Sequence, residues 1–300
     1  MRLPAAIGIV GGMGPWVDPL LLAKLLEYQA SLGMRKDQQA IPVLLAQYAA
    51  LIEDRSEYLA ALAEGRACEN PAVPVAHLAA MLAAAGARVL GIPCNTFHSP
   101  AIFDVFRREL AALGQEAAEV QVIHMIEATL DAMVQAHPQA RRIGILSTNG
   151  TYLQRIYTAP LAARGFQAIT LPYQARIFSL EQQAARKDAI INRGAPPLQN
   201  DVHHAINNPE WGVKSGRGAA QGFPEARAVL KAAARELVRA GADLLIMGCT
   251  EVPLALGPDE VPGVALLDPL DVLARSLVDA WRARFSPAWP AARELPFLAS

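Results

Sequence analysis

The chain is predicted to be an α/β protein of two similar domains, each with a four-stranded, mostly parallel sheet flanked by helices. Short aliphatic runs alternate with alanine- and leucine-rich stretches, a pattern typical of βαβ units. These runs fall four in each half of the chain, and each half has a cysteine directly after one of them. The repetition indicates an internal duplication, so we expect an active-site cleft between two domains related by a pseudo-twofold axis.

Each predicted strand is a short run of aliphatic or β-branched residues. In the first half these runs are residues 7–10, 41–47, 88–93 and 120–124, and in the second half they are 142–146, 168–172, 243–247 and 264–267. Two predicted helices, 71–86 and 225–241, end in glycine and lead directly into the strands that precede the cysteines. This parallel strengthens the case for a duplication.

The predicted domains are 1–122 together with 270–300, and 123–269. A C-terminal helix from Leu270 is expected to return to the first domain. The segment 173–224 has the least regular pattern and contains several glycines and prolines. It is predicted to be a helix followed by a long loop or lid that closes over the cleft or packs on a partner subunit.

Composition indicates a globular protein that acts on a small molecule. The 300 residues are 53% hydrophobic and 18% charged, with a formal net charge of −1. No basic surface for nucleic acid is expected, and no apolar stretch is long enough to span a membrane. Three cysteines without a Cys-x-x-Cys pair, and a start that does not resemble a signal peptide, predict a cytoplasmic protein.

Cys94 and Cys249 are the strongest candidates for catalytic residues. Each ends an apolar run and opens into a polar turn, where the amino end of a following helix favours a thiolate. Two such thiols facing one pocket can remove a proton from one side of a carbon and return it to the other. A single buried cysteine is more often inert, but the duplicated context favours a function for these two. Cys68 is not expected to take part.

Glycines follow the first predicted strand at positions 8, 11, 12 and 14. They do not complete the dinucleotide pattern G-x-G-x-x-G, because Val17 stands where the last glycine is needed and Gln47, rather than an acidic residue, ends the second strand. The turn is instead expected to let backbone N–H groups approach a small anion such as a carboxylate.

The six histidines lack the spacing of zinc ligands, so no metal site is predicted. His203 and His204 are interpreted as solvated loop residues. His98 lies four residues after Cys94, where it could cap the turn or tune the thiol. From physical chemistry alone, Arg55 is interpreted as a surface side chain at a helix start and Lys214 as an exposed loop lysine.

The sequence resembles the aspartate/glutamate racemase superfamily, and most closely its aspartate racemase branch. The stretches that carry the resemblance are 9–15 (IVGGMGP), 54–56 (DRS), 93–98 (PCNTFH), 146–151 (LSTNGT) and 248–254 (GCTEVPL). The glutamate racemase branch usually has an Asp-Ser-Gly turn after the first strand, Ser at the position of His98 and His at the position of Glu251. Phe97 and Trp16 are larger than the residues usual in the family, which leaves the identity of the substrate open.

The resemblance implies a cofactor-independent amino-acid racemase, acting on aspartate or glutamate as a homodimer, with Cys94 and Cys249 as its two bases. One thiol is expected to have a lowered pKa. The residues implied to contact the substrate are Met13, Arg55, Asn95, Thr96, Thr148, Thr151, Lys214, Thr250 and Glu251. Among these, Arg55 and Lys214 are implied to lie near a side-chain carboxylate.

Several alternatives remain open within and outside this superfamily. A hydantoin racemase or a maleate-isomerase-like enzyme would use related cysteine chemistry. An arylmalonate-decarboxylase-like enzyme needs only one such cysteine, so the presence of two argues against it. A non-catalytic amino-acid-binding protein would bind the ligand without exchanging its α-proton.

Overall fold

The structure, a computed structural model, describes residues 4–172, 175, 194–286 and 289. These residues form two compact units. Unit 1 takes its described residues from Met1–Ile52, Asn70–Ala128 and Leu270–Ser300, and unit 2 from Glu53–Glu69 and Thr129–Pro269. The helices, in chain order, are α1 (Val17–Ser31), α2 (Arg55–Ala63), α3 (Ala72–Ala84), α4 (Pro100–Ala112), α5 (Gln115–Glu119), α6 (Met125–Ala136), α7 (Asn149–Leu153), α8 (Thr158–Ala163), α9 (Pro197–Asn207), α10 (Gly216–Gln221), α11 (Pro224–Arg239), α12 (Val252–Ala255) and α13 (Pro269–Phe285).

Unit 1 contains a parallel sheet of four strands. They are β1 (Ala6–Gly11), β2 (Val43–Gln47), β3 (Ala87–Gly91) and β4 (Gln121–Val122), in the order β2-β1-β3-β4. Every residue of β1 is buried, as a central parallel strand covered on both faces requires. Helix α13 packs in the core of this unit, and Leu277 fills the space that a side chain at Gly91 would need.

Unit 2 repeats this arrangement. Its strands are β5 (Arg142–Ile145), β6 (Gln167–Ile169), β7 (Leu244–Ile246) and β8 (Ala265–Leu267), in the order β6-β5-β7-β8, and all pair in parallel. The two sheets therefore have the same strand order, and β3 and β7 occupy equivalent positions. The predicted fold class, two α/β units with four-stranded parallel sheets, is confirmed.

The division into units differs from the sequence-based boundaries at two segments. Residues 53–69 lie in unit 2, although the sequence places them in the first domain, and 123–128 lie in unit 1. The reason for the first difference is the close packing of α2 on α7. A Cβ at Gly150 would lie 2.5 Å from the Oγ of Ser56, so the two helices approach as closely as they do because residue 150 has no side chain.

The part of 173–224 that the structure describes is more helical than predicted. The sequence predicts one helix followed by a long loop or lid, whereas the described part alone contains two helices, α9 and α10. Leu198, Val202 and Ile206 recur every fourth residue of α9 and are buried in the core of unit 2, which explains the helix. Trp211 packs against the same core. The prediction of a lid also rests on four apolar residues of this segment, Ile177, Phe178, Ile190 and Ile191, and these lie outside the described residues.

No helix in the described part of the chain is long and apolar enough to cross a membrane.

Candidate active site

Cys94 lies in a buried turn after the carboxyl end of β3. Its backbone N–H donates to the carbonyl of Ile92 at 2.8 Å. Asn95 and Thr96, which follow it, are also buried. In open parallel sheets ligands bind outside the carboxyl ends of the strands, so this polar turn occupies a position where such side chains can serve a ligand.

His98 stabilises the Cys94 turn. Its Nδ1 lies 2.9 Å from the carbonyl oxygen of Cys94, which makes Nδ1 the protonated nitrogen. Burial and the neighbouring His124 lower the pKa of His98 to about 3. The imidazole is therefore neutral near pH 7, where it acts as a hydrogen-bond donor to the backbone. Of the two sequence-based interpretations, this geometry supports the cap.

The bulk of Phe97 belongs to the core of unit 1. Its ring is fully buried and packs edge-on against Phe106 of α4, with the ring centroids 5.4 Å apart. The other bulky departure from the family pattern, Trp16, is largely exposed, whereas Met13 in the same turn is buried.

The glycine turn after β1 already holds an internal carboxylate. The N–H of Gly12 donates to Asp18 Oδ2 at 2.9 Å, and Gln47 Nε2 donates to the same oxygen at 2.6 Å. A side chain at Gly11 would collide with this carboxylate. Asp18 is buried, and sequence reasoning missed it. An acidic residue just after a glycine turn is the signal that could have identified it. The expectation that the turn offers its N–H groups to an external anion is thus corrected at Gly12.

Cys249 follows β7 and donates a hydrogen bond to a buried carboxylate. Its Sγ lies 2.9 Å from Oε2 of Glu251, and Thr250 Oγ1 donates to the same oxygen at 3.0 Å. Glu251 is only 1% exposed. Burial and the charge of Glu251 raise the pKa of Cys249 well above its ordinary value. Cys249 is therefore not the thiol with the lowered pKa that the sequence predicts for one of the two, and its ligand-free form is a protonated thiol.

Lys214 lies close to this thiol–carboxylate pair, and Arg55 lies close to Lys214. Lys214 Nζ is 3.8 Å from Oε1 of Glu251, and its side chain is 24% exposed. Burial works against its charge, but Glu251, Cys249 and Asp54 together raise the pKa of Lys214. Arg55 is also close enough to Lys214 to influence its charge. The residues therefore form one charged cluster within unit 2, called here the Lys214 cluster: Asp54, Arg55, Lys214, Cys249 and Glu251.

Arg55 is buried, which corrects its interpretation as a surface side chain. It is 7% exposed and donates from Nη1 to the carbonyl of Glu53 at 3.1 Å. Asp54 caps α2 by accepting from the N–H groups of Ser56 and Glu57 at 2.8 and 3.0 Å. Burial opposes its charge, but Arg55, Lys214 and these N–H groups lower the pKa of Asp54. The Asp54 carboxylate and the Arg55 guanidinium are thus both held at the start of α2.

A second polar turn of unit 2 follows β5 and contains Thr148 and Thr151. Both are buried, and their hydroxyl oxygens lie 3.5 Å apart. Helix α9 supports this turn from behind: Gln199 Nε2 donates to the carbonyl of Ser147 at 2.7 Å, and the N–H of Asn149 donates to His203 Nδ1 at 3.1 Å.

His203 is 2% exposed, so its interpretation as a solvated loop residue is wrong. The sequence missed it together with Gln199 and Asn200. The four-residue apolar period of α9 is the signal that could have placed all three on a packed helix.

Except for Arg55 and Lys214, the predicted site residues follow equivalent strands in the two sheets. In unit 1, Met13 follows β1, and Cys94, Asn95 and Thr96 follow β3; in unit 2, Thr148 and Thr151 follow β5, and Cys249, Thr250 and Glu251 follow β7. Each pair of strands lies at the centre of its sheet. Among the residues that the structure describes, no three His, Cys, Asp or Glu side chains are grouped to hold a metal ion.

Comparison with known proteins identifies the family. The model of the Asp/Glu/hydantoin racemase family matches residues 24–197, more than half of the chain. The chain belongs to this family. As a racemase it is an enzyme of the isomerase class.

Solved structures of racemases share its fold. Aspartate racemase from Picrophilus torridus has a TM-score of 0.64 at 21% identity, over 92% of this chain and 94% of that one. A putative Asp/Glu racemase from Yersinia pestis has a TM-score of 0.62 at 19% identity, over 92% and 98%. Glutamate racemase from Francisella tularensis, solved with D-glutamate, has a TM-score of 0.52 at 14% identity, over 93% and 81%.

Proposed function

We propose that this racemase interconverts the L and D forms of an acidic amino acid, aspartate or glutamate, with Cys94 and Cys249 as its two bases and without a cofactor. The observation that carries the substrate class is the Lys214 cluster. Lys214 lies beside Cys249 and Glu251, and Arg55 is close to Lys214. A guanidinium and an ammonium together suit a carboxylate ligand.

In the proposed mechanism, one cysteine removes the α-proton as a thiolate and the other returns a proton as a thiol. The mechanism requires each thiol to reach one face of the same α-carbon. The hydrogen bond from Cys249 to Glu251 supports Cys249 as the acid in the ligand-free enzyme. Cys94 then acts first as the base, and the roles reverse for the opposite enantiomer.

Glu251 has a different proposed role from the substrate contact that the resemblance implies. Its Oε2 accepts from Cys249 and Thr250, and its Oε1 faces Lys214. A carboxylate in this position would repel a substrate carboxylate but can hold the thiol proton. We therefore assign Glu251 to Cys249 as the group that keeps it protonated.

The remaining residues are proposed to bind the substrate backbone. Hydroxyl and amide groups can donate to the α-carboxylate and accept from the amine, and Met13 adds an apolar wall. Fixed donors stabilise the negative charge that develops when the α-proton leaves. The proposed donors are Asn95, Thr96, Thr148, Thr151 and Thr250.

Proton NMR in deuterated water tests the function. A panel of amino acids, together with a 5-substituted hydantoin and maleate, is incubated with the enzyme, and the α-proton signal is followed. Loss of the signal from aspartate or glutamate, with the opposite enantiomer detected by chiral chromatography, is the expected result. Reaction of only the hydantoin or maleate would contradict the acidic substrate, and binding without exchange would identify a non-catalytic protein.

We also propose that the protein is cytoplasmic and forms a homodimer. All three cysteines are unpaired, which is in keeping with a reducing compartment such as the cytoplasm. The proposed homodimer is checked by sedimentation.

A further inference from the structure

Helix α9 contacts both the Thr148 turn and the loop that carries Lys214. On one side, three of its polar side chains bind the turn after β5. Gln199 holds the carbonyl of Ser147, His203 accepts the N–H of Asn149 at 3.1 Å, and Asn200 Oδ1 accepts from Asn149 Nδ2 at 2.8 Å. These side chains are nearly fully buried, so the contacts are shielded from water.

At its carboxyl end, the same helix holds the backbone of Lys214. The N–H of Lys214 donates to the carbonyl of Ile206 at 3.0 Å, and the N–H of Val213 donates to the carbonyl of Ala205 at 2.9 Å. The loop then returns tightly on Asn208, whose carbonyl accepts from the N–H of Gly212 at 2.9 Å. These main-chain hydrogen bonds therefore fix the position of the Lys214 backbone relative to α9.

We propose that α9 is a positioning element that fixes the separation between the Thr148 and Thr151 hydroxyls and the Lys214 ammonium, and thereby selects the chain length of the dicarboxylate substrate. The inference rests on the proposed function, because it takes the hydroxyls as contacts of the α-carboxylate and Lys214 as a contact of the side-chain carboxylate. Since an α-helix is stiff, its two ends cannot adjust independently to a longer or shorter ligand.

Gly212 and Gly216, each two residues from Lys214 in the sequence, provide a matched test. A Cβ at Gly212 would lie 2.5 Å from the backbone N and 2.6 Å from the backbone O of Asn208, so Gly212→Ala must displace the loop from α9. A Cβ at Gly216 would meet nothing within 4 Å. Gly216→Ala, at the first residue of α10, is thus the control for an added methyl group two residues from Lys214.

Binding is measured by calorimetry with succinate, glutarate and propionate, so the readout does not depend on turnover. In Gly212→Ala the ratio of the succinate and glutarate dissociation constants is expected to change by about tenfold or more, the effect of losing one well-placed charged hydrogen bond. Propionate binding, and all three ligands in Gly216→Ala, should stay within about threefold of wild type. An unchanged ratio in Gly212→Ala, or equal changes in both variants, overturns the inference.

A second pair of variants covers the case in which Gly212→Ala fails to fold. His203→Asn keeps an acceptor near the N–H of Asn149, whereas His203→Leu removes it. The ratio should change in His203→Leu and return toward wild type in His203→Asn; an unchanged ratio in a folded His203→Leu overturns the inference.

The outcome for the proposed function is read separately. If wild-type enzyme binds a dicarboxylate but exchanges no α-proton of aspartate or glutamate, the proposed function is wrong. The positioning role of α9 is then still decided by the ratios of the dissociation constants. Wild type that binds neither dicarboxylate overturns both.

Discussion

Glu251→Gln is expected to convert Cys249 from a protonated thiol into a more readily ionised one. The substitution preserves the shape of the side chain but removes the carboxylate that accepts from the thiol at 2.9 Å. The Lys214 ammonium, 3.8 Å from Oε1 in the wild type, remains and favours the thiolate of Cys249. A thiolate at this distance from a carboxylate is disfavoured by about 6 kcal/mol at an effective dielectric constant of about 20. Loss of that repulsion lowers the pKa of Cys249.

Alkylation kinetics measure this change directly, because the thiolate is the form that reacts. The rate of Cys249 modification by iodoacetamide is followed against pH by peptide mass spectrometry. The midpoint of the profile should move to lower pH in Glu251→Gln. Glu236→Gln is the matched control, because Glu236 pairs with Arg239 on the surface of α11. A midpoint that is unchanged or higher in Glu251→Gln would refute the assignment of Glu251 to the thiol.

Two further predictions concern the substrate carboxylate and the Cys94 turn. Arg55→Met should reduce kcat/KM for aspartate by about 10- to 100-fold, as expected for the loss of a hydrogen bond to a charged group. The control Arg217→Met removes an exposed surface arginine paired with Glu210 and should leave kcat/KM unchanged. Equal losses of kcat/KM in the two variants would exclude a carboxylate contact at Arg55. Because the pKa of His98 falls from 6.5 to about 3 on folding, the unfolded chain binds the proton more readily. Stability should therefore decrease as the pH falls from about 6.5 toward 3, and His98→Asn should weaken this dependence in urea titrations across that range. The same pH dependence in wild type and His98→Asn would show that another group is responsible.

The sequence was sufficient to predict the strands and the fold class, and the reason is physical. Central parallel strands are covered on both faces, so their sequences are short continuous apolar runs, as in β1. The residues after such strands are also easy to find, because polar side chains there do not stabilise the hydrophobic core. This is how the turns at Cys94 and Cys249 were selected.

Features that depend on tertiary packing could not be predicted in the same way. The assignment of α2 to unit 2 follows from its close approach to Gly150, which no local pattern records. Helix α9 was missed because the prolines and asparagines around it suggested a loop and concealed its apolar period. The raised pKa of Cys249 was not predicted either, because it results from burial and from the carboxylate of Glu251, two residues along.

The measurement that tests the central claim most directly follows L- and D-aspartate separately in deuterated water with the variants Cys94→Ala and Cys249→Ala. Because a two-base mechanism needs a group on each face of the α-carbon, each variant should lose racemisation, and any α-proton exchange that remains should be confined to one enantiomer. Cys68→Ala, which alters the third cysteine, should racemise like wild type. Full racemisation by either the Cys94 or the Cys249 variant would contradict the two-cysteine mechanism.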